Sequence, residues 1–298
     1  MKPQTLLITG VHGLVGQHLY RILDQWNGNV VLTGRGPLRL PSGTFLYEEM
    51  DITDPDRIQE VFNRHRPSVV IHSAAMAQPD ECELEQDKTV LHNVTATQYL
   101  LRASAAHRSF FIFLSTDFVF SGNDGPYHEE SIPAPVNFYG ETKRRAELEV
   151  MLYGTNHAIV RTVLVYGNVI SGTRSNIISW ARSALEKGQP ARVVSDQIRT
   201  TTYAGDLARG LLLIAEKKAG GIWHISGKDA LSPWDISLKV AAELGLDSSM
   251  LTKVDASSFS QPAERPLQTP FIIEKARREL GFEPISFDEG MRIVLNGG

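Results

Sequence analysis

A single cysteine, Cys82, is all the chain contains. That excludes an internal disulfide framework and a zinc site built from several thiolates. Long hydrophobic runs are missing too: none approaches the roughly 18 residues needed to cross a bilayer. The opening Met1-Lys2-Pro3-Gln4-Thr5 leads straight into a strand-like run, without the apolar core or cleavage site of a secretory leader. Together these absences make a cytoplasmic location the default expectation. Charge of one sign is scarce, and a net charge of -4 gives no global reason to expect nucleic-acid binding. No histidine and carboxylate cluster has metal-ligand spacing. Neither internal repeats, heptads nor low-complexity segments break the pattern. With 298 residues, 42% of them hydrophobic, the chain can bury a large core in one or two domains.

What is present is an alternation. Residues 6–9, 30–33, 46–52, 69–72, 110–114, 158–161 and 222–225 read as short β-branched or aromatic strands. Between and after them, 14–26, 58–64, 89–106, 176–187, 206–217, 233–244 and 272–280 read as helices. The 58–64 helix is opened by Asp54-Pro55-Asp56, an N-terminal signal. Strands alternating with helices predict a parallel sheet covered on both faces. The pattern loosens after about residue 166, which predicts a smaller second lobe interleaved with returns to the sheet.

Thr9-Gly10-Val11-His12-Gly13-Leu14-Val15-Gly16 sits between the first strand and the first helix. That is the context of a dinucleotide fingerprint, here spaced GxxGxxG. Gly10 permits the tight turn, Gly13 the approach of backbone to a pyrophosphate, and Gly16 close helix packing. The helix N-terminus adds amide donors for phosphate. Strand two ends Leu32-Thr33-Gly34-Arg35, without the acid that usually bonds the NAD ribose. Arg35 can instead accept a 2′-phosphate, so NADPH is expected over NADH. His12 is either a donor near the phosphates or a plain loop residue, and Asp51-Ile52 can hold the adenine edge and face.

Tyr139 and Lys143 are four residues apart in Tyr139-Gly140-Glu141-Thr142-Lys143. On a helix they share a face, so the ammonium favours the phenolate and tunes a proton donor. Ser115-Thr116-Asp117 ends the strand upstream and supplies a hydroxyl beside the phenol.

In this order the landmarks resemble the extended short-chain dehydrogenase/reductase family: the Gly10 loop, Asp51-Ile52, Ser73-Ala74-Ala75, Asn93, Ser115-Thr116, then Tyr139 with Lys143. Within it the chain is most similar to the dTDP-4-dehydrorhamnose reductase branch. Ser115 to Gly122 is similar to that branch's STDYVFDG segment, and Pro126-Tyr127, Glu129 and 135–140 continue the match. Asp196-Gln197, Thr202-Tyr203, Asp206-Leu207-Ala208, Arg265-Pro266 and 275–281 extend it over nearly the full length.

Alternation and resemblance together imply an α/β, Rossmann-type doubly wound parallel sheet with a smaller C-terminal substrate-binding lobe. Residues 1–165 with 203–228 are expected to bind NADP, and 166–202 with 229–298 to form the lobe. The resemblance implies that Tyr139 protonates the incipient alkoxide, Lys143 tunes it and bonds the nicotinamide ribose, and Thr116 bonds the reacting oxygen. It places Gly10, His12, Gly13, Leu14, Val15, Gly16, Arg35, Asp51, Ile52, Ser73, Ala74 and Ala75 around the cofactor. Asn93 either fixes backbone or a water near the lysine, or packs as a helix amide. Met76, Asp117, Phe118, Leu164, Arg199 and Arg265 are expected to border the substrate.

The chemistry implied is NADPH-dependent reduction of a nucleotide-linked 4-keto-6-deoxysugar. The partner is then a nucleotide sugar, with neither nucleic acid nor membrane, and with room for a homodimer. Three positions depart from the branch: Phe118 replaces a tyrosine, Leu164 a sugar-contacting tryptophan and Ser121 an aspartate. A sugar-nucleotide dehydratase or epimerase is the second reading, but Asp117-Phe118 lacks the dehydratase Asp-Glu pair. A third is a non-catalytic NADP-binding subunit similar to the methionine adenosyltransferase β subunit. Thr116, where that subunit tends to have serine, favours the reductase.

Overall fold

The computed structural model describes residues 4–41, 43, 45–154, 156–172 and 176–297. Seven parallel strands form the central sheet: β1 (Gln4–Thr9), β2 (Gly28–Gly34), β3 (Leu46–Glu49), β4 (Val69–His72), β5 (Phe110–Thr116), β6 (His157–Thr162) and β7 (Gly221–His224). Their spatial order is β7-β6-β5-β4-β1-β2-β3. The order reverses between β1 and β4, the switch point beyond whose carboxyl ends a doubly wound sheet binds ligands.

The runs are continuously apolar because both faces are covered. Leu6 and Ile8 of β1 join one core with Val69, Ile71, Phe110 and Ile112. Leu7 between them joins the other, with Val70, Phe111 and Phe113. The first core is closed by α1 (Leu14–Tyr20) and by residues of the helix Ala204–Lys217, the second by residues of α2 (Pro55–His65) and of the helices Ala96–His107 and Phe138–Leu152.

The remaining helices are α3 (Pro79–Leu84), α4 (Gln86–Val90), α5 (Ala96–His107), α6 (Phe138–Leu152), α7 (Ile177–Lys187), α8 (Ala204–Lys217), α9 (Pro233–Leu244), α10 (Glu274–Leu280) and α11 (Phe287–Leu295). The helix expected over 14–26 leaves helical geometry at Ile22 and ends in a single tight turn, Leu23–Gln25. The helix expected over 89–106 is interrupted by a π turn, Leu91–Thr95, between α4 and α5. Such a bulge re-aims side chains, here that of Asn93.

A third core joins α7, α9 and α11 through Ile178, Leu185, Ile236, Val240, Phe287 and Met291. Beside it the two-strand pair Ala191–Val194 and Leu251–Val254 contributes Val193 and Leu251. One stretch expected in the second lobe belongs elsewhere. Phe271, Ile273, Ala276, Leu280 and Phe282 are buried in the first core of the main sheet. Two backbone bonds fix this return: the Tyr127 amide donates to the Pro270 carbonyl and the Ile272 amide to the Tyr127 carbonyl, each at 2.8 Å. Among the described residues no helix is long and apolar enough to cross a membrane.

Candidate active site

The loop after β1 depends on two glycines. Gly10 has φ +74, and a Cβ there would lie 2.8 Å from the Ala74 nitrogen, so the loops after β1 and β4 touch. A Cβ at Gly16 would meet the Gly10 carbonyl at 2.5 Å, which lets the first turn of α1 press onto the loop. Polar bonds hold the same junction. Thr9 Oγ1 bonds His72 Nδ1 at 2.8 Å and accepts from the Ala74 amide at 3.3 Å, while Ser73 Oγ donates to the Thr9 carbonyl at 2.6 Å. Burial lowers the His72 pKa to about 3, with the charge of Lys143 adding to the effect, so this imidazole is a neutral brace.

His12 packs over Gly34, where a Cβ would come 2.9 Å from its ring, and lies 5.7 Å from the Tyr47 ring. Its Nε2 accepts the Arg39 amide at 3.3 Å. Burial and the nearby Arg39 lower its pKa, so the neutral ring keeps its proton on Nδ1. Asp51 is absent from the cavity wall, although Met50 and Ile52 line it. Its Oδ1 accepts the Thr53 amide and hydroxyl, both at 2.9 Å. Burial opposes that charge, but Thr53 and the positive Arg35 outweigh it and hold the carboxyl below its usual range.

At the other end, Asn137 caps α6 by accepting from the Gly140 amide at 2.9 Å. Tyr139 falls in the first turn and Lys143 one turn later, both buried. A Cβ at Gly140 would lie 2.1 Å from the Phe118 carbonyl, so the start of α6 rests on the turn that follows β5. The Lys143 ammonium donates to the Leu114 carbonyl at 2.7 Å and stands 4.0 Å from the Phe113 ring centroid. Burial lowers its pKa to about 7, against the opposing pull of Glu147. Thr116 Oγ1 accepts the Phe118 amide and donates to Asp117 Oδ1, each at 3.2 Å. The Phe118 ring meets Tyr139 edge-on at 5.7 Å.

One cavity of about 710 Å³ unites most of the expected residues. Its wall includes Gly10, His12, Gly13, Leu14, Val15, Gly16, Arg35, Ile52, Ser73, Ala74 and Ala75, and also Thr116, Asp117, Phe118, Tyr139, Lys143 and Leu164. Leu164 has φ +33, a left-handed conformation unusual for a branched side chain, and is 38% exposed.

Four of the residues expected at cofactor or substrate stand behind the wall, besides Asp51. Asn93 accepts the Met76 amide at 2.8 Å and donates to the Met76 carbonyl at 3.0 Å, so both shape the loop after β4 from behind. Arg199 reaches Asp117 with Nε at 3.5 Å and the Pro266 carbonyl with Nη2 at 2.8 Å. Arg265 is committed to Asp80, Nη1 to Oδ1 at 2.5 Å and Nη2 to Oδ2 at 2.7 Å, at the start of α3. A guanidinium satisfied by a carboxylate on both prongs has little left for a sugar.

The wall also holds residues that sequence reasoning passed over. Arg39 joins Arg35, and Asn176, Ile177 and Trp180 come from the start of α7. Arg39 carries a readable signal, a second base in the loop after strand two; Trp180 carries none beyond its size. Among the described residues no group of His, Cys, Asp or Glu could hold a metal ion.

Known proteins resemble this chain in sequence and, for a solved structure, in fold. The spore coat polysaccharide biosynthesis protein SpsK of Bacillus subtilis is 30% identical over 97% of this chain and 96% of its own. Methionine adenosyltransferase 2 subunit beta of Rattus norvegicus is 30% identical over 89% of this chain and 79% of its own. A crystal structure of dTDP-4-dehydrorhamnose reductase from Bacillus anthracis, in complex with NADP, superposes with a TM-score of 0.86 at 26% identity, covering both chains fully. Matched from residue 4 to residue 297, the chain belongs to the RmlD substrate binding domain family.

Proposed function

We propose that this protein is an NADPH-dependent reductase of a nucleotide-linked 4-keto-6-deoxysugar. The observation that carries the reading is one cavity shared by the Gly10 loop and the Thr116, Tyr139 and Lys143 side chains. The loop suits a dinucleotide: Gly10 and Gly16 let it pack closely on the turn after β4 and on the first turn of α1, where no side-chain hydrogen bond caps the helix. Arg35 and Arg39 suit a 2′-phosphate, since guanidinium groups bind that anion by charge-assisted hydrogen bonds.

When bound, NADPH supplies the hydride to the ketone carbon. Tyr139 gives its phenolic proton to the carbonyl oxygen as alkoxide character develops. Lys143, one turn along α6, stabilises the phenolate left behind while it carries its charge. Thr116 turns its hydroxyl from Asp117 to the reacting oxygen, in a buried setting where such a bond counts for more than in water. The core of α7, α9 and α11 forms the lobe that receives the nucleotide sugar, with Trp180 and Leu164 on the shared wall.

The test is NADPH oxidation against a panel of nucleotide-linked keto sugars, with Tyr139→Phe beside the unmodified chain. Reduction should vanish in the variant while NADPH affinity holds; unaltered turnover removes Tyr139 as the acid. Arg35→Ala should weaken NADPH more than NADH, and equal weakening would mean that Arg35 only packs. The identity with methionine adenosyltransferase 2 subunit beta favours a second reading, an NADP-binding regulatory subunit. No turnover on any sugar, together with a stoichiometric protein partner, would select it.

A further inference from the structure

The reacting end of the cavity rests on a buried carboxylate that the proposed chemistry does not use. Glu147 lies on α6 one turn beyond Lys143, with no exposed surface. Its Oε1 accepts from the Ser115 hydroxyl at 2.7 Å and from Arg161 Nε at 2.8 Å. Its Oε2 accepts from Arg161 Nη2 at 2.8 Å and Arg144 Nη1 at 3.1 Å. Ser115 stands between Leu114, whose carbonyl takes the Lys143 ammonium, and Thr116. Two adjacent residues at the end of β5 are therefore gripped by two side chains on one face of α6.

We propose that Glu147 is a positioning residue: its charge favours the ammonium form of Lys143 one turn away, and its bond to Ser115 holds Thr116 in register with Tyr139. This rests on the reading of Tyr139 and Lys143 as the proton-donating pair. Burial strengthens the attraction, since both side chains lie away from bulk water. The other ionisable groups facing Lys143 are Tyr139 on its own helix, His72 from β4 and Cys82 from α3. His72 is neutral, and burial raises the Cys82 thiol, so neither supplies a counter-charge at neutral pH. Arg161 from β6 and Arg144 from α6 face Glu147 and keep it ionised.

Glu147→Gln strands a buried arginine, so the paired replacement Glu147→Leu with Arg161→Met accompanies it. Lys143 is followed by NMR in protein labelled at the lysine Cε carbon, and turnover is followed against pH. The Lys143 midpoint should fall by about one pH unit or more in Glu147→Gln and by less in the paired variant, which also loses a positive charge, and the alkaline limb of kcat should move with it. An unchanged midpoint in a folded variant overturns the charge half. Ser115→Ala cuts only the tie to the strand; kcat should drop about tenfold with NADPH Kd unchanged. Unchanged kcat overturns the register half. If no keto sugar is turned over by the unmodified protein, the reductase reading fails while the Lys143 midpoint still decides the link to Glu147.

Discussion

Arg161 meets Glu147 with two nitrogens on two oxygens, each at 2.8 Å, whereas Arg199 approaches Asp117 with Nε alone at 3.5 Å. Both pairs are buried, and both flank the end of β5. Their carboxyl pKa values move in opposite directions. Burial pushes each carboxyl up; at Glu147 the bonds and charge of Arg161, with Ser115 and Arg144, outweigh it, and the pKa falls below its usual value. At Asp117 burial wins over Arg199, Thr269 and Thr116, and the pKa rises. The desolvation penalty alone does not decide whether a buried pair ionises; the fit of the fork to the carboxylate does. Arg199 spends its other nitrogens on the Pro266 carbonyl and Gln197. One flank thus favours its negative charge, while at the other burial works against the charge beside Thr116.

The sharpest way to break this contrast is to remove each arginine. Arg161→Met strands an ionised carboxylate and should cost about 3–5 kcal/mol in urea unfolding. Arg199→Met should cost about 1–3 kcal/mol, since its single 3.5 Å approach to Asp117 is the weaker contact. Equal losses would mean that the two pairs are alike.

The pH dependence should also run in opposite directions. Glu147, with a depressed pKa, contributes stability above its unfolded value that is lost as pH falls through the folded one. Asp117, with a raised pKa, loses stability as pH climbs from its unfolded value through the folded one. Relative to the unmodified protein, Asp117→Asn should therefore gain stability as pH rises above about 4, by roughly 1.4 kcal/mol for each pH unit that separates the folded and unfolded midpoints. Parallel stability curves would show that the two midpoints coincide. The smallest effect expected is Thr269→Val, which removes the 2.5 Å bond to Asp117 and should cost about 1 kcal/mol. A cost equal to that of Arg199→Met would place the anchor of Asp117 on the hydroxyl and not on the guanidinium.

Burial on both faces is why the sheet was legible: β1, β4 and β5 read as unbroken apolar runs. Tyr139 with Lys143 was legible because one helical turn joins them, and the Gly10 loop because its parts are adjacent in sequence. Two-residue strands such as Val165–Tyr166 and Thr202–Tyr203 carry no period to read. In α3 only Cys82 is buried, so it has no apolar stripe. The start of α11 did carry a readable signal, the Ser286 and Glu289 capping box. The resemblance places Arg199 and Arg265 at the substrate, and nothing local in the sequence marks the carboxylates they meet. Asp80 meets Arg265 only through the return of residues 263–271 across the site, and Asp117 meets Arg199 from the separate short strand Arg199–Thr200.

That return has a consequence for the order in which the molecule can be made. Synthesis from the N-terminus completes the central sheet once His224 has emerged. At that point Asp117 still lacks the Thr269 hydroxyl, and Asp80 lacks both the Ala263 amide and Arg265. Domains tend to fold as they leave the ribosome, yet the bonds that brace Asp117 and Asp80 cannot all form until the chain has grown through Thr269. A nascent chain stalled between those two residues would carry a finished sheet and a pocket without its outer braces.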